Sequence, residues 1–256
     1  MRSFFLHNEI KRINGISRQL ERWQSRNNSA GFDLTAISFG EGYNPLFGDF
    51  NLVRSPDGNS VRLLLDVYSG SGFISSNMYA QGLFSAKIKL PSDDTAGVVV
   101  AFYASNGDVF EIEHDELDIE FLGNVQGQPW RFQTNLEVIH SDEMGGDYPS
   151  KPMSLYATIW DASSWATGGG KIKVNYDYAP FTAEFRELVL EGCPMDPIQE
   201  YPDFTICKDK DAWVKSRSYA FLTPASRHAE VQAALYVLLV LLRCMALPHE
   251  TSRLCN

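Results

Sequence analysis

Much of what a site can be built from is missing along most of this 256-residue chain. No cysteine precedes Cys193, and the four present, Cys193, Cys207, Cys244 and Cys255, form no CxxC pair and stand outside ligand spacing of any histidine. Thiolate metal centres are not expected, and no metal or cofactor is assigned. Two local bridges, Cys193 to Cys207 and Cys244 to Cys255, would suit an oxidising compartment, whereas buried free thiols would suit a reducing one. Basic clusters are also lacking: 22 Lys and Arg against 32 Asp and Glu leave a formal net charge of -10, which argues against nucleic acid as a partner. The longest apolar run, Ala233 to Leu242, falls short of the roughly 20 residues that cross a bilayer, so no membrane partner is expected. It reads as a helix in the tail, capped near Thr223 and Pro224. No apolar stretch follows Phe4 and Phe5 in the Arg-rich segment Met1 to Asn28, so no signal peptide is read there. "TGGGKI", Thr167 to Ile172, lacks the spacing of a phosphate loop and carries Ile172 where that loop needs a hydroxyl. The acids fit no EF-hand register, HExxH and GxSxG are absent, and no repeat is found.

What is present is strand after strand. Aromatics make up 12% of the chain beside 19 Gly and 12 Pro, a composition of strands and loops. The Asp57-Gly58 pair in "SPDGNS" signals a hairpin ahead of "VRLLLD". Phe84, Ala86, Ile88 and Leu90 alternate with Ser85, Lys87 and Lys89, the pattern of a half-buried strand. "WRFQTNLEV", "KPMSLYATIW" and "FTAEFRELVLEG" continue the series, and from Cys193 the text turns to loops and then helix. Antiparallel strands in one large domain plus a tail are expected.

The stretch that carries chemistry is "HDELDIEFLG", His114 to Gly123. In a strand, alternate side chains share a face, so Leu117, Ile119 and Phe121 turn to the core while Glu116, Asp118 and Glu120 form an acidic row. A helix would scatter both sets. Neighbours in the row stand roughly 7 Å apart, close enough for like charges to raise at least one carboxyl pKa. Repulsion of that kind does nothing for stability, so the row either holds a cation or performs catalysis. His114 is read as a hydrogen-bonded structural residue in preference to a catalytic base.

"HDELDIEFLG" resembles the active-site strand of the plant xyloglucan endotransglucosylase/hydrolases, members of glycoside hydrolase family 16. The resemblance extends over "EGYNPLFGDFNLVRSPDGNSVRLLLD", "SGFISSNMYAQGLFSAKIKLPSDDTAGVVVAFYASNGDVF", "WRFQTN", "DEMGGDYPSKPMSLYATIWDASSWAT" and "NYDYAPF". It implies an all-β, concanavalin-like β-jelly-roll sandwich with a cleft on one sheet, here with a short helical C-terminal tail. It implies Glu116 as nucleophile, Glu120 as general acid/base and Asp118 as the assisting carboxylate between them. Tyr103, Gln133, Asn135 and Trp165 match sugar-contacting positions, with Trp130 and Trp160 nearby; for Trp160 core packing is an equally good reading. Retaining glycosidases need their two carboxyl groups roughly 5 to 5.5 Å apart, so Glu116 and Glu120, on backbones roughly 13 Å apart, must lean toward each other across Asp118.

The resemblance further implies a secreted, monomeric enzyme of the plant cell wall that acts on xyloglucan as donor and an oligosaccharide as acceptor. After Glu137 the match jumps at Val138 to "VIHSDEMGGDYPSKP", where relatives carry roughly four more strands. Three segments follow: 1–36 outside the match, a sandwich over 37–192 shortened near 137–138, and a cysteine-bearing extension over 193–256. Two other readings are an inactive or truncated relative that binds glycan or is vestigial, and a cation-binding sandwich.

Overall fold

The computed structural model describes residues 35–112, 114–134 and 151–196 together with the strand Leu235–Leu241. Its strands are β1 (Tyr43–Phe47), β2 (Leu52–Arg54), β3 (Ser60–Leu65), β4 (Ser71–Ser75), β5 (Tyr79–Lys89), β6 (Val98–Ser105), β7 (Glu116–Leu117), β8 (Ile119–Leu122), β9 (Arg131–Thr134), β10 (Ser154–Asp161), β11 (Phe181–Pro194) and β12 (Leu235–Leu241). A seven-stranded sheet runs in the order β1-β4-β10-β6-β8-β9, with β7 on β6, and a five-stranded sheet runs β12-β5-β11-β3-β2. Every pairing is antiparallel. This is the expected β-sandwich.

Local sequence explains the elements. Phe84, Ala86 and Ile88 are buried while Lys89 is exposed, as the period of two requires. Between β2 and β3 the Asp57 carboxylate accepts from the Ser55 hydroxyl and the Asn59 amide, and Gly58 takes φ +71°, a left-handed turn that suits glycine. The sheets meet through Phe73 of β4 and Phe185 of β11, edge to face at 5.4 Å, with Phe102 of β6 at 6.4 Å from Phe185. All three are fully buried, and each such side chain stabilises the fold by about 1.5–3 kcal/mol.

The tail helix expected over Ala233 to Leu242 is overturned: Leu235–Leu241 is β12, paired with β5 from Leu235↔Ile88 to Leu241↔Gly82. A short run of continuous apolar residues fits a buried strand as well as a helix. Val237, Val240 and Tyr236 favour the strand, and the edge of β5 offers backbone groups for it to pair with. At the other boundary, β11 continues past Gly192, with Cys193 opposite Gln81. Cys193 is buried and disulfide-bonded. The expected pairings with Cys207 and between Cys244 and Cys255 fall outside the described residues, as does the join at 137–138.

Candidate active site

The acidic stretch lies along β6 in one continuous register. Ser105 faces Glu116, Ala104 faces Leu117, Ala101 faces Glu120 and Val100 faces Phe121. Alternation then sorts the side chains: Ile119 and Phe121 are each 1% exposed in the core, whereas Glu116, Asp118 and Glu120 line a cleft of about 320 Å³ on the opposite face.

Register also defines the floor of that cleft. A row of residues crosses the whole sheet, Phe47, Gly72, Thr158, Ala101, Glu120 and Gln133, one from each of β1, β4, β10, β6, β8 and β9. Five inter-strand steps make it roughly 24 Å long. Its middle is small, while the adjacent row carries Tyr156 beside Tyr103, stacked at 4.8 Å and 11°. On the other side stands Trp160. Small residues between aromatic ones leave a furrow running across the strands. Gly72 leaves room there, since a Cβ would come within 2.8 Å of the Phe47 ring and 3.0 Å of the Ala157 carbonyl and would force them to shift.

Burial, and next the charge of Glu116, raise the Asp118 carboxyl to about 8; a hydrogen bond to Glu116 and the charge of Glu120 push the same way. Asp118 is therefore largely protonated at neutral pH and donates to the Glu116 carboxylate. The Glu120 carboxyl is raised by the same two leading causes, burial and the Glu116 charge. Its Oε2 accepts from Gln133 Nε2 at 3.2 Å. Two of the three carboxyls in line thus resist ionisation in the field of the third, the separation that acid/base work demands. Burial, with the nearby acids adding to it, also pushes the Tyr103 hydroxyl well above its ordinary range.

Of the other residues singled out by sequence, Tyr103 lines the cleft and Gln133 reaches it through Glu120. Asn135 lies outside the described residues. Trp165 is 38% exposed and leans on Trp160, ring centroids 5.9 Å apart. Its loop is held by the Arg131 guanidinium, which donates to the Ala166 carbonyl. Trp160 does both, lining the cleft while packing against the buried cluster of Val99, Leu122, Ala162 and Ala166, and Trp130 packs against the core. The expected hydrogen-bonded role of His114 is not borne out at Nδ1, which is buried without a partner among the described residues. The ring packs over Gly107, where a Cβ would lie 3.6 Å from His114 Cγ. Sequence reasoning passed over Phe47, Thr158 and Tyr156. The last two share the period-two face of β10 with Trp160, and that alternation was the available signal.

The sequence matches the model described as Glycosyl hydrolases family 16 over residues 39–138 and 136–178. Three proteins of Arabidopsis thaliana are similar. Probable xyloglucan endotransglucosylase/hydrolase protein 30 is 52% identical over 250 residues, covering 80% of this chain and 72% of its own length. Protein 29 of the same description is 46% identical, covering 75% and 69%, and protein 27 is 47% identical, covering 76% and 71%. Since 80% of 256 residues is about 205, about 45 of the 250 positions aligned with protein 30 have no residue of this chain opposite them.

Proposed function

The chain belongs to the family 16 glycosyl hydrolases and, within them, to the xyloglucan endotransglucosylase/hydrolases, and we propose that it cleaves and rejoins the β-1,4-glucan backbone of xyloglucan in the plant cell wall through a covalent ester on Glu116. The observation that carries the reading is the acidic row in the cleft, with two of its three carboxyls raised by burial and by the charge of the third.

The chemistry follows from that division. Glu116, ionised and oriented by the Asp118 hydroxyl, attacks the anomeric carbon of a backbone glucose. Glu120, still protonated, gives its proton to the departing glycosidic oxygen. Forming the ester removes the negative charge of Glu116, and with it part of what holds the Glu120 proton. Glu120 then serves as base toward the incoming hydroxyl. A sugar hydroxyl beats water at that step only when it is held in place. Tyr103, Trp160 and Trp165 offer ring faces for stacking, and a furrow open across the sheet suits a polymer better than a single sugar. Gln133 and Asn135 are assigned to sugar contact, and a monomer acting outside the cell completes the reading.

We also infer that this chain lacks a segment of about 45 residues that its relatives carry after Glu137. Support comes from the unaligned positions against protein 30 and from the two matched stretches, which meet at 136–138.

The test is incubation of the chain as written with xyloglucan and a fluorescent xyloglucan oligosaccharide, followed by size exclusion. Label appearing in polymer is expected, and Glu116→Gln should abolish it. A folded protein that binds the oligosaccharide yet yields neither labelled polymer nor shortened chains would replace this reading with that of an inactive, glycan-binding relative.

A further inference from the structure

Glu116 sits on the shortest strand of the sheet. β7 contains two residues, and among the described residues it pairs only with β6, through Ala104↔Leu117 and Ser105↔Glu116. Two ladder positions at the mouth of a loop are a weak hold on a side chain that must stay aligned for attack.

What precedes β7 supplies the missing hold. Asn106, the residue just after β6, is completely buried. Its side-chain Oδ1 accepts from the Asp115 amide at 2.8 Å, and its Nδ2 donates to the Pro152 carbonyl at 3.1 Å. Its backbone joins the same junction: Asn106 N donates to the Asp115 carbonyl at 3.3 Å, while Asn106 O accepts from Val109 N and Phe110 N. Asp115 in turn accepts from the Lys151 amide at 2.8 Å through Oδ2. One buried amide therefore ties the end of β6, the residue before Glu116 and the lead-in to β10, closing the excursion of residues 107–114 at its base. A core residue could have filled this volume without polar groups, and burying an amide is tolerated only when its bonds are made. Here both ends of the side chain are used, one on the residue before Glu116 and the other on the segment leading into β10.

We propose that Asn106 is a positioning residue for the reaction, fixing the backbone of Glu116 so that its carboxylate meets the anomeric carbon. The inference rests on the assignment of Glu116 as nucleophile. It concerns the attacking step alone and leaves proton donation by Glu120 untouched.

The experiment isolates that step with a xyloglucan oligosaccharide bearing fluorine at C2 and a 2,4-dinitrophenolate leaving group at C1. Attack forms the bond from a Glu116 oxygen to C1 and breaks the bond from C1 to the phenolate, which departs as the anion and needs no proton. The ester accumulates and is counted by intact mass, while phenolate release gives the rate. Near-ultraviolet circular dichroism reports the folded fraction. Per folded molecule, Asn106→Ala should form the ester about tenfold to a hundredfold more slowly, the scale on which misalignment of about 1 Å acts, with half-saturation by the glycoside unchanged. Asn106→Asp, which keeps the acceptor for the Asp115 amide and sets a carboxyl oxygen in place of the donor to Pro152, should lose at least severalfold. It decides the matter by the same criterion if the alanine variant does not fold. Ester formation at the wild-type rate per folded molecule, or a change confined to half-saturation, overturns the inference. Glu116→Gln separates the two levels: if it is inert while Asn106→Ala reacts normally, only the role of Asn106 fails, whereas ester formation in Glu116→Gln removes the nucleophile assignment itself.

Discussion

Phe102 and Tyr103 are consecutive residues of β6, as Glu120 and Phe121 are of β8, yet each pair divides between two environments with opposite demands. Phe102 and Phe121 are at most 1% exposed in an apolar core. Their neighbours stand in a cleft lined by three carboxyls, two of which are raised by burial and by the charge of Glu116. Core positions raise stability by burying carbon, whereas the cleft positions give up stability to hold carboxyls where burial and a like charge raise two of them above their ordinary range. Alternation along a strand lets one backbone serve both, and it predicts that substitutions one residue apart separate fold from chemistry.

The largest expected effect lies on the cleft face. Glu120→Gln keeps shape and removes the proton, so transfer from natural xyloglucan should fall by about 10²–10⁴. Release of dinitrophenolate, which needs no acid, should stay within about tenfold of wild type, with the melting temperature unchanged or raised. Equal losses on both donors would sink the acid assignment. One residue from the cleft wall, Phe102→Ala should do the reverse, costing about 3–5 kcal/mol of stability by denaturant melts while activity per folded molecule holds. A catalytic loss larger than the unfolded fraction would mean that core and cleft are coupled, and the comparison would break.

Asp118 tests whether the cleft gives up stability. Its folded carboxyl lies at about 8, above the roughly 3.9 of an unfolded aspartate. The folded state therefore holds the proton more tightly, and the wild type loses stability as pH rises from about 4 to about 8. Asp118→Asn removes the titration. Its melting temperature should match wild type near pH 4 and exceed it increasingly toward pH 8, while turnover drops. A variant less stable at pH 8 than at pH 4, relative to wild type, would contradict the electrostatic account.

How much of this could be read from the sequence follows the same division. Period two is local, so the acidic row and the buried face of β5 were legible residue by residue. The furrow was not, because Phe47, Gly72, Thr158 and Ala101 come together only through the non-local order β1-β4-β10-β6. Asn106 sits in "SNGD", which reads as an ordinary turn, and its bonds to Asp115 and Pro152 join segments 9 and 46 residues away. The run that became β12 failed for another reason: seven apolar residues carry no period to read.

Trp165 offers the smallest and finest test. Its ring, 38% exposed, rests at 48° to Trp160, and its loop hangs from Arg131 and from the Ala162 carbonyl, which accepts from Trp165 N at 3.0 Å. Because that anchoring is backbone and the ring is peripheral, Trp165→Ala should leave the melting temperature within about 1 °C of wild type. Stacking on an aromatic is worth about 0.5–1.5 kcal/mol, so the half-saturating xyloglucan concentration should rise about twofold to tenfold with ester formation at saturation unchanged. A drop in melting temperature without a change in binding would instead place Trp165 among the packing residues, and the boundary between the two environments would run between Trp160 and Trp165.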